Sequence, residues 1–164
     1  MTKNFFIVFS FVLSYQVLAQ IQGKYQCRWA VFHPFAALKV MNIYKKNLSI
    51  YEEVKNKKIL DSIENGGQLD AFRHGFFMAC FAQKIKPKKL LKLGDAHEKD
   101  NVYLYIKKKK LEFSEYPDSA SVEMDLHNNL LGIELGRKYK HLSSLQLKDT
   151  IVQYIKEGKF KTIK

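Results

Sequence analysis

The stretch that decides the fold is Gln68–Ile85, which reads QLDAFRHGFFMACFAQKI. It follows the helix-breaking sequence Asn65–Gly67 and ends shortly before Pro87, so its length suits a single helix. Apolar residues cover it almost all round, which is typical of a helix at the centre of an all-helical protein. Asp70 and His74 interrupt this pattern, and because they are four residues apart they share one helix face. A charged pair on a buried helix requires hydrogen bonds or a metal ion, so this face is the first candidate site.

Helical periodicity also dominates the sequence on both sides of this stretch. The run Asn101–Ile106 is ambiguous, since its Val, Tyr, Leu and Ile residues would also suit a strand. Residues ahead of His33, including Trp29, are interpreted as a short lead without a helix. The sequence therefore predicts an all-α protein, a single compact bundle of about five helices with polar motifs on three central helices. The predicted elements are helices at His33–Lys57, Gln68–Ile85, Pro87 to Asn101 or on to Lys110, Ser119–Tyr139 and Ser144–Glu157, with a loop over Leu111–Ser119.

Residues 1–19 have the features of a secretory signal peptide. They contain Lys3, an uncharged and mainly apolar run over Phe5–Leu18, and the small residue Ala19 at the cleavage position. The apolar run is shorter than the roughly 20 residues that a membrane-spanning helix needs. We therefore expect cleavage after Ala19 and an exported protein, periplasmic or secreted, in which residues 20–164 form one helical domain. We expect no transmembrane segment after this cleavage.

The chain is strongly basic, with a formal charge of +12 that falls to +11 when residues 1–19, containing Lys3 and no acid, are removed. Its 46% hydrophobic content and 13% aromatic content exclude a disordered basic tail. The lysine clusters Lys84–Lys92 and Lys107–Lys110 suit solvated faces, and beside a site they would attract an anionic small molecule, a lipid or a cell-wall intermediate. Export separates the chain from its own nucleic acid, so nucleic acid is not expected as the main partner.

The two cysteines leave two alternatives open. In an oxidising compartment Cys27 and Cys80 can form a disulfide that ties the N-terminal segment to the central helix. Alternatively, both remain reduced and act as small buried hydrophobic side chains.

Two further segments carry polar side chains within apolar helices, namely Gly94–Glu98 (GDAHE) and Met124–Asn129 (MDLHNN). We call Asp70–His74 the first motif and these two segments the second and third motifs. In the third motif, Asp125 shares a helix face with Asn128 and Asn129. Asparagine is a poor helix former, so two in a row inside a helix indicate a role for their amides. Imidazole, carboxylate and amide groups from three helices are the groups with which helical bundles bind divalent metal. The alternative is a set of structural hydrogen bonds that join the helices.

Gly132 and Gly136 follow the third motif and are four residues apart, so they lie on one helix face. Without side chains they allow the backbone of another helix to approach closely. We therefore expect the three motifs to converge on one pocket.

At these motifs the sequence resembles an uncharacterised family of bacterial, mostly helical domains. The family signature combines a D-A-F-R-H-A helix, a G-D-A-H-E segment and an M-D-L-H-N-N helix, and the resemblance covers about residues 30–140. Gly75 departs from the usual Ala of this signature. Members occur as small exported proteins and at the ends of larger, toxin-like proteins. The resemblance implies a shared site but no established activity.

The order of the motif residues is also similar, more distantly, to the pattern of HD phosphohydrolases. His74, the pair His97-Glu98 and Asp125 stand in the corresponding places, and Glu98 replaces the usual Asp. This resemblance implies divalent metal binding and phosphoester cleavage. It remains an analogy between site patterns.

The first hypothesis for the function is an exported, metal-dependent hydrolase that acts on a phosphoester or another anionic substrate. A metal-bound water would be the nucleophile, and a nearby carboxylate would take its proton. The second hypothesis is a non-enzymatic binding domain in which the same residues form a buried polar network, and the third is an antibacterial effector or toxin. In the enzyme hypothesis the metal ligands are His74, His97 and Asp125, the catalytic residues are Asp70, Glu98 and His127, and the substrate-binding residues are Arg73, Asn128 and Asn129.

Overall fold

The computed structural model describes residues 23–109 and 119–164 of the chain. Every regular element in these residues is a helix, so the all-α prediction is confirmed. The predicted signal peptide at 1–19 lies outside the described residues, as does the predicted loop from Leu111 to residue 118. The helices are α1 (Lys24–Phe32), α2 (Pro34–Asn56), α3 (Gln68–Ala82), α4 (Pro87–Lys109), α5 (Ser119–Lys138) and α6 (Ser144–Lys156).

The predicted number of helices is wrong by one, because the lead that contains Trp29 forms α1. This helix has no side-chain cap of its own, since its N-cap residue is Gly23. Instead, the buried Asp100 of α4 accepts hydrogen bonds from the backbone N–H groups of Tyr25 and Gln26, each at 2.9 Å. A carboxylate at a helix N-terminus satisfies free N–H groups and interacts well with the helix dipole. The start of α1 therefore depends on a tertiary contact.

Helix α3 lies at the centre of the fold and packs against α2, α4, α5 and α6. Nearly every residue along it is buried, and the side chains of Phe72 and Phe76 are fully enclosed. This helix follows the turn at Gly66, which has a φ of +82°. Asp61 caps it by accepting hydrogen bonds from the backbone N–H groups of Gln68 and Leu69.

The ambiguous run Asn101–Ile106 is helical and belongs to α4, which continues to Lys109. Helix α5 runs beside α3, and α1 packs mainly on α4.

After α6 the chain ends in an extended segment, residues 160–164, that crosses α3 and α5. The ring of Phe160 fills the space beside Gly75, where a Cβ atom would overlap it. The backbone N–H of Ile163 donates a 2.8 Å hydrogen bond to the carbonyl oxygen of Gly66. The C-terminal segment thus packs on the helix pair that carries the first and third motifs.

Candidate active site

Helices α3 and α5 meet at small residues that bring their backbones together. A Cβ atom at Gly132 would overlap the carbonyl oxygen of Gly75, and one at Gly136 would overlap that of Ala79. The expectation that the two glycines of α5 allow close helix approach is therefore confirmed. This approach places His74, which precedes Gly75, directly against the third motif.

Asp70, His74 and Asp125 form a buried group at this contact. His74 Nε2 lies 3.5 Å from Asp70 Oδ1 and 3.3 Å from Asp125 Oδ1. One nitrogen or oxygen atom from each residue lies within 4.8 Å of the others, a spacing that lets one cation contact all three. We call Asp70, His74 and Asp125 the triad.

The protonation of His74 follows from its partner on α5. His74 Nδ1 lies 3.1 Å from Asn129 Oδ1, which can only accept, so Nδ1 carries the proton and donates it. The Nε2 lone pair then faces the two carboxylates. The pKa of His74 is lowered from 6.5 to about 3, mainly by burial and also by the charge of Arg73 and the nearby His97. His74 is therefore a neutral imidazole whose unprotonated Nε2 atom faces the carboxylates of the triad and accepts a 3.4 Å hydrogen bond from Arg73 Nη2.

One oxygen of the buried Asp125 carboxylate lacks a hydrogen-bond donor among the described residues. No described residue donates a hydrogen bond to its Oδ1 atom, since the adjacent His74 Nε2 has no proton to give. The pKa of Asp125 is raised from 3.8 to about 8, mainly by burial and also by the charges of Glu98 and Asp70. A proton or a metal cation between Asp125 and His74 would satisfy both atoms.

Glu98 of α4 is a second buried carboxylate with an unsatisfied atom. Its Oε2 accepts a 3.2 Å hydrogen bond from Asn101 Nδ2, and no described residue donates to its Oε1. The pKa of Glu98 is raised from 4.5 to about 7, mainly by burial, with the Asn101 amide opposing the rise and the charge of Asp70 adding to it. Glu98 thus adds to the electron-rich character of the site near the triad.

Asp70 has more partners than the other two members of the triad. Its Oδ2 accepts a 2.8 Å hydrogen bond from the backbone N–H of Gly66, and its Oδ1 accepts one from Arg73. The Arg73 side chain is 39% exposed, and its Nη2 atom lies 3.4 Å from His74 Nε2. The guanidinium therefore holds Asp70 in place and remains accessible from outside.

His97 does not belong to the triad but lies beside it. Its ring centre is 6.0 Å from that of His74, and its Nδ1 accepts a 3.1 Å hydrogen bond from Gln26 Nε2 of α1. Because the amide Nε2 can only donate, the proton of His97 is on its own Nε2. Burial lowers the pKa of His97, as does the charge of Arg73, and the carboxylates of Asp100 and Asp70 oppose the shift.

A cavity of about 730 Å³ opens between α2, α3 and α4. One end of it is polar, and this end contains members of all three motifs. The polar side chains that line this end are Gln26, Arg73, His74, His97 and Asn129. Asn129 Nδ2 is buried and no described residue accepts a hydrogen bond from it. The three motifs thus contribute hydrogen-bond donors and the imidazole of His74 to one cavity.

Five predicted site residues lie outside the cavity lining, namely Asp70, Glu98, Asp125, Asn128 and His127. Asp70 and Asp125 are buried against His74, which does line the cavity. Asn128 is fully buried, and its amide makes two hydrogen bonds, of 2.9 and 3.0 Å, with the backbone of Lys161. Asn128 therefore anchors the C-terminal segment to α5. His127 is half-buried on α5 and does not line the cavity.

Sequence reasoning did not find Gln26 and Asp100. Gln26 fixes the tautomer of His97, and Asp100 fixes the start of the helix that carries Gln26. Gly23 is also part of this arrangement, because a Cβ atom there would overlap the Asp100 carboxylate. Asp100 caps a backbone group 75 positions away in the chain, so no local pattern marks it. The only signal for Asp100 in the sequence is that it is an acidic residue two positions after Glu98 on the same predicted helix.

Cys27 is half-buried and Cys80 is buried, and both are free thiols in the structure. Burial raises the pKa of the Cys80 thiol to about 12. Among the described helices, none has the length and apolar character that crossing a membrane requires.

The sequence of the chain matches the model of a protein family. The chain matches the family model described as "Domain of unknown function (DUF6973)" over residues 27–159, which is well over half of its length. The match covers all three motif segments and extends beyond the expected core of residues 30–140 on both sides. No curated protein and no solved structure is significantly similar to the chain. The chain belongs to the DUF6973 family, whose members share a domain of unknown function.

Proposed function

We propose that the protein is an exported hydrolase that uses a divalent metal ion to cleave a phosphoester or a similar anionic substrate. The observation that carries this proposal is the buried triad beside a cavity, in which His74 Nε2 faces the carboxylates of Asp70 and Asp125. Two carboxylates and an unprotonated imidazole nitrogen at this spacing, with Asp125 Oδ1 lacking a donor among the described residues, are a composition that favours a cation.

In this proposal the triad holds the metal, so Asp70 is a ligand together with His74 and Asp125. A bound divalent ion supplies a water of lowered pKa and stabilises negative charge on the substrate. His97, which the sequence suggested as a third ligand, is better suited to donate from its protonated Nε2 atom. We assign Glu98 a positioning role, because its charge acts on the neighbouring Asp125 and helps to raise the pKa of that carboxyl. The pKa of Glu98 itself, raised to about 7, is also close to the value that proton transfer at neutral pH requires.

The donors at the polar end of the cavity support an anionic substrate. Arg73 contributes an accessible guanidinium, His97 an N–H group and Asn129 an amide N–H without an acceptor. Phosphate oxygens accept hydrogen bonds from all three kinds of group, and a guanidinium also adds charge. We therefore assign Arg73, His97 and Asn129 to substrate binding, whereas Asn128 anchors the C-terminal segment.

The proposal is tested with purified residues 20–164 and two chromogenic probes, 4-nitrophenyl phosphate and bis(4-nitrophenyl) phosphate. We expect nitrophenol release that requires added Mg²⁺, Mn²⁺ or Zn²⁺ and stops with chelator. His74→Ala and Asp125→Asn should each lose more than about 100-fold, since even the outer partners of metal ligands are worth 10–100-fold. His141→Ala, an exposed histidine, is the matched control. Release that ignores chelator, or that survives His74→Ala, would refute a metal-dependent mechanism.

One observation favours the non-enzymatic alternative, a binding domain with a structural polar network. Arg73 donates to Asp70 and lies near His74, so a positive charge already stands beside the triad. A protonated Asp125 would then satisfy His74 Nε2 without a metal. In that case the protein would bind no divalent ion, and loss of His74 would reduce stability alone.

A further inference from the structure

The cavity beside the triad is apolar over most of its length. Its wall is formed by aliphatic side chains of α2 and α4 and by two aromatic rings of α3, which belong to the hydrophobic core or pack against it. Its volume of about 730 Å³ lies within the range of cavities that enclose a drug-sized organic molecule. This apolar wall includes Val40, Met41, Leu48, Phe77, Phe81 and Leu93.

The charges at the cavity are complementary to an anion. Lys45 is exposed at its edge, and Arg73 stands at its polar end. The described residues that line the cavity include no carboxylate, because Asp70, which pairs with Arg73, and Asp125 are buried outside the lining. An occupant with one negative end and one apolar end would therefore match both parts of the cavity.

The wall suits an aliphatic chain better than a nucleobase. Val40, Met41 and Leu48 offer no hydrogen-bonding side-chain group apart from a weak thioether acceptor. A base could stack on the rings of Phe77 or Phe81, but its hydrogen-bonding edge against these aliphatic side chains would lose water and gain no partner, at a cost in free energy. A hydrocarbon chain has no such groups and gains from leaving water.

We propose that the substrate is an amphipathic phosphoester whose charged head lies between Arg73 and His97 and whose aliphatic chain lies along the apolar wall. This inference rests on the proposed function, since it names the substrate class of the same site. It separates lipid-like phosphoesters from nucleotides and from free phosphate.

The experiment measures binding of non-hydrolysable alkyl phosphonates, from methyl through butyl and octyl to dodecyl, to residues 20–164 by calorimetry. We expect the affinity to rise about fourfold for each added methylene, because burying one methylene is worth about 0.8 kcal/mol. The rise should end once the chain fills the cavity. Decanol, which lacks the charge, and adenosine monophosphate, which lacks the chain, should bind more weakly than decyl phosphonate.

Two variants of α2 form a matched pair. Val40→Trp fills the apolar wall, and Ile50→Trp adds the same bulk at another half-buried β-branched position of the helix that does not line this cavity. Val40→Trp should abolish the dependence on chain length, and Ile50→Trp should keep it. Circular dichroism checks the fold, and Leu48→Ala, which removes wall area, should reduce the gain per methylene if Val40→Trp does not fold.

The outcomes separate this inference from the proposed function. Affinity that is the same for methyl and dodecyl phosphonate would overturn the inference, as would tighter binding of adenosine monophosphate than of decyl phosphonate. Chain-length dependence that persists in Val40→Trp would also overturn it. The proposed function is decided separately by metal content and metal-dependent cleavage, which none of these binding results measures.

Discussion

Gly132 of α5 packs on the backbone of Gly75 in α3 so closely that a side chain on Gly132 would overlap the Gly75 carbonyl oxygen. This contact sets the distance between the helices that carry His74 and Asp125. Gly75 is constrained on its other side as well, because the ring of Phe160 occupies the position of a Cβ atom. The departure from the usual Ala at position 75 therefore has a physical reason, which is the packing of the C-terminal segment.

Substitution of Gly132 by Ala should separate α3 and α5. Because the new methyl group meets backbone and not a flexible side chain, we expect a loss of about 1–3 kcal/mol in the free energy of unfolding. Urea denaturation of residues 20–164 measures this loss. Glu134→Ala, at an exposed position of the same helix, should change the stability by less than about 0.5 kcal/mol. Equal stability of the two variants would contradict the close contact.

Loss of the Asp100 carboxylate should release α1. Asp100→Ala leaves two backbone N–H groups without acceptors, so we expect a loss of about 1–3 kcal/mol and faster proteolysis ahead of α2. Asp95→Ala is the matched control, since Asp95 is on the same helix and its side chain is 56% exposed. The account of α1 is wrong if both variants unfold and are cleaved alike.

The sequence was informative where the physical cause is local. The apolar surface of Gln68–Ile85 predicted a buried helix, and the spacing of Asp70 and His74 predicted that they share a face. The glycine pair of α5 predicted close helix packing. These features depend on residues within a few turns of one another, so periodicity and spacing are sufficient to recognise them.

The sequence was not sufficient where partners come from distant parts of the chain. Helix α1 was missed because Asp100, not a local residue, caps it. The role of Gln26 depends on this same helix. The two amides of Asn128 and Asn129 are adjacent in sequence, but one bonds the backbone of Lys161 and the other contacts His74. Helical spacing cannot distinguish these directions without the neighbouring elements.

Replacement of Glu98 by Gln should change how stability depends on pH. The pKa of Glu98 is raised from 4.5 to about 7 in the folded protein, so wild-type stability is lost as pH rises through this window. The lowered pKa of His74 has the opposite effect, since it makes stability rise with pH between about 3 and 6.5. Variant and wild type are therefore compared at each pH, because both contain His74. In chelator, the stability of Glu98→Gln relative to wild type should rise by on the order of 2–3 kcal/mol from pH 4.5 to 8. Glu134→Gln should show no such rise, and a flat difference for Glu98→Gln would refute the raised pKa.

Metal binding should release a proton from Asp125. The pKa of this carboxyl is raised to about 8, so it is mostly protonated at pH 7 and must ionise to become a ligand. We expect Mn²⁺ affinity to rise up to about tenfold per pH unit below pH 8 and to level off above it. Calorimetry in buffers of different ionisation enthalpy should give about one proton released at pH 7 and much less at pH 9. Binding at pH 7 without proton release would contradict this assignment.

The most direct test of a metal site at Asp70, His74 and Asp125 is the metal content of the purified protein, combined with thermal melts in the presence and absence of chelator. We expect about one divalent ion per chain and a lower melting temperature after chelation. His74→Ala should lose the ion, stay helical and become insensitive to chelator, whereas His141→Ala should behave as wild type. A wild-type protein that contains no metal and ignores added divalent ions and chelator, while His74→Ala loses about 1–3 kcal/mol of stability, would contradict the metal site and favour a structural network.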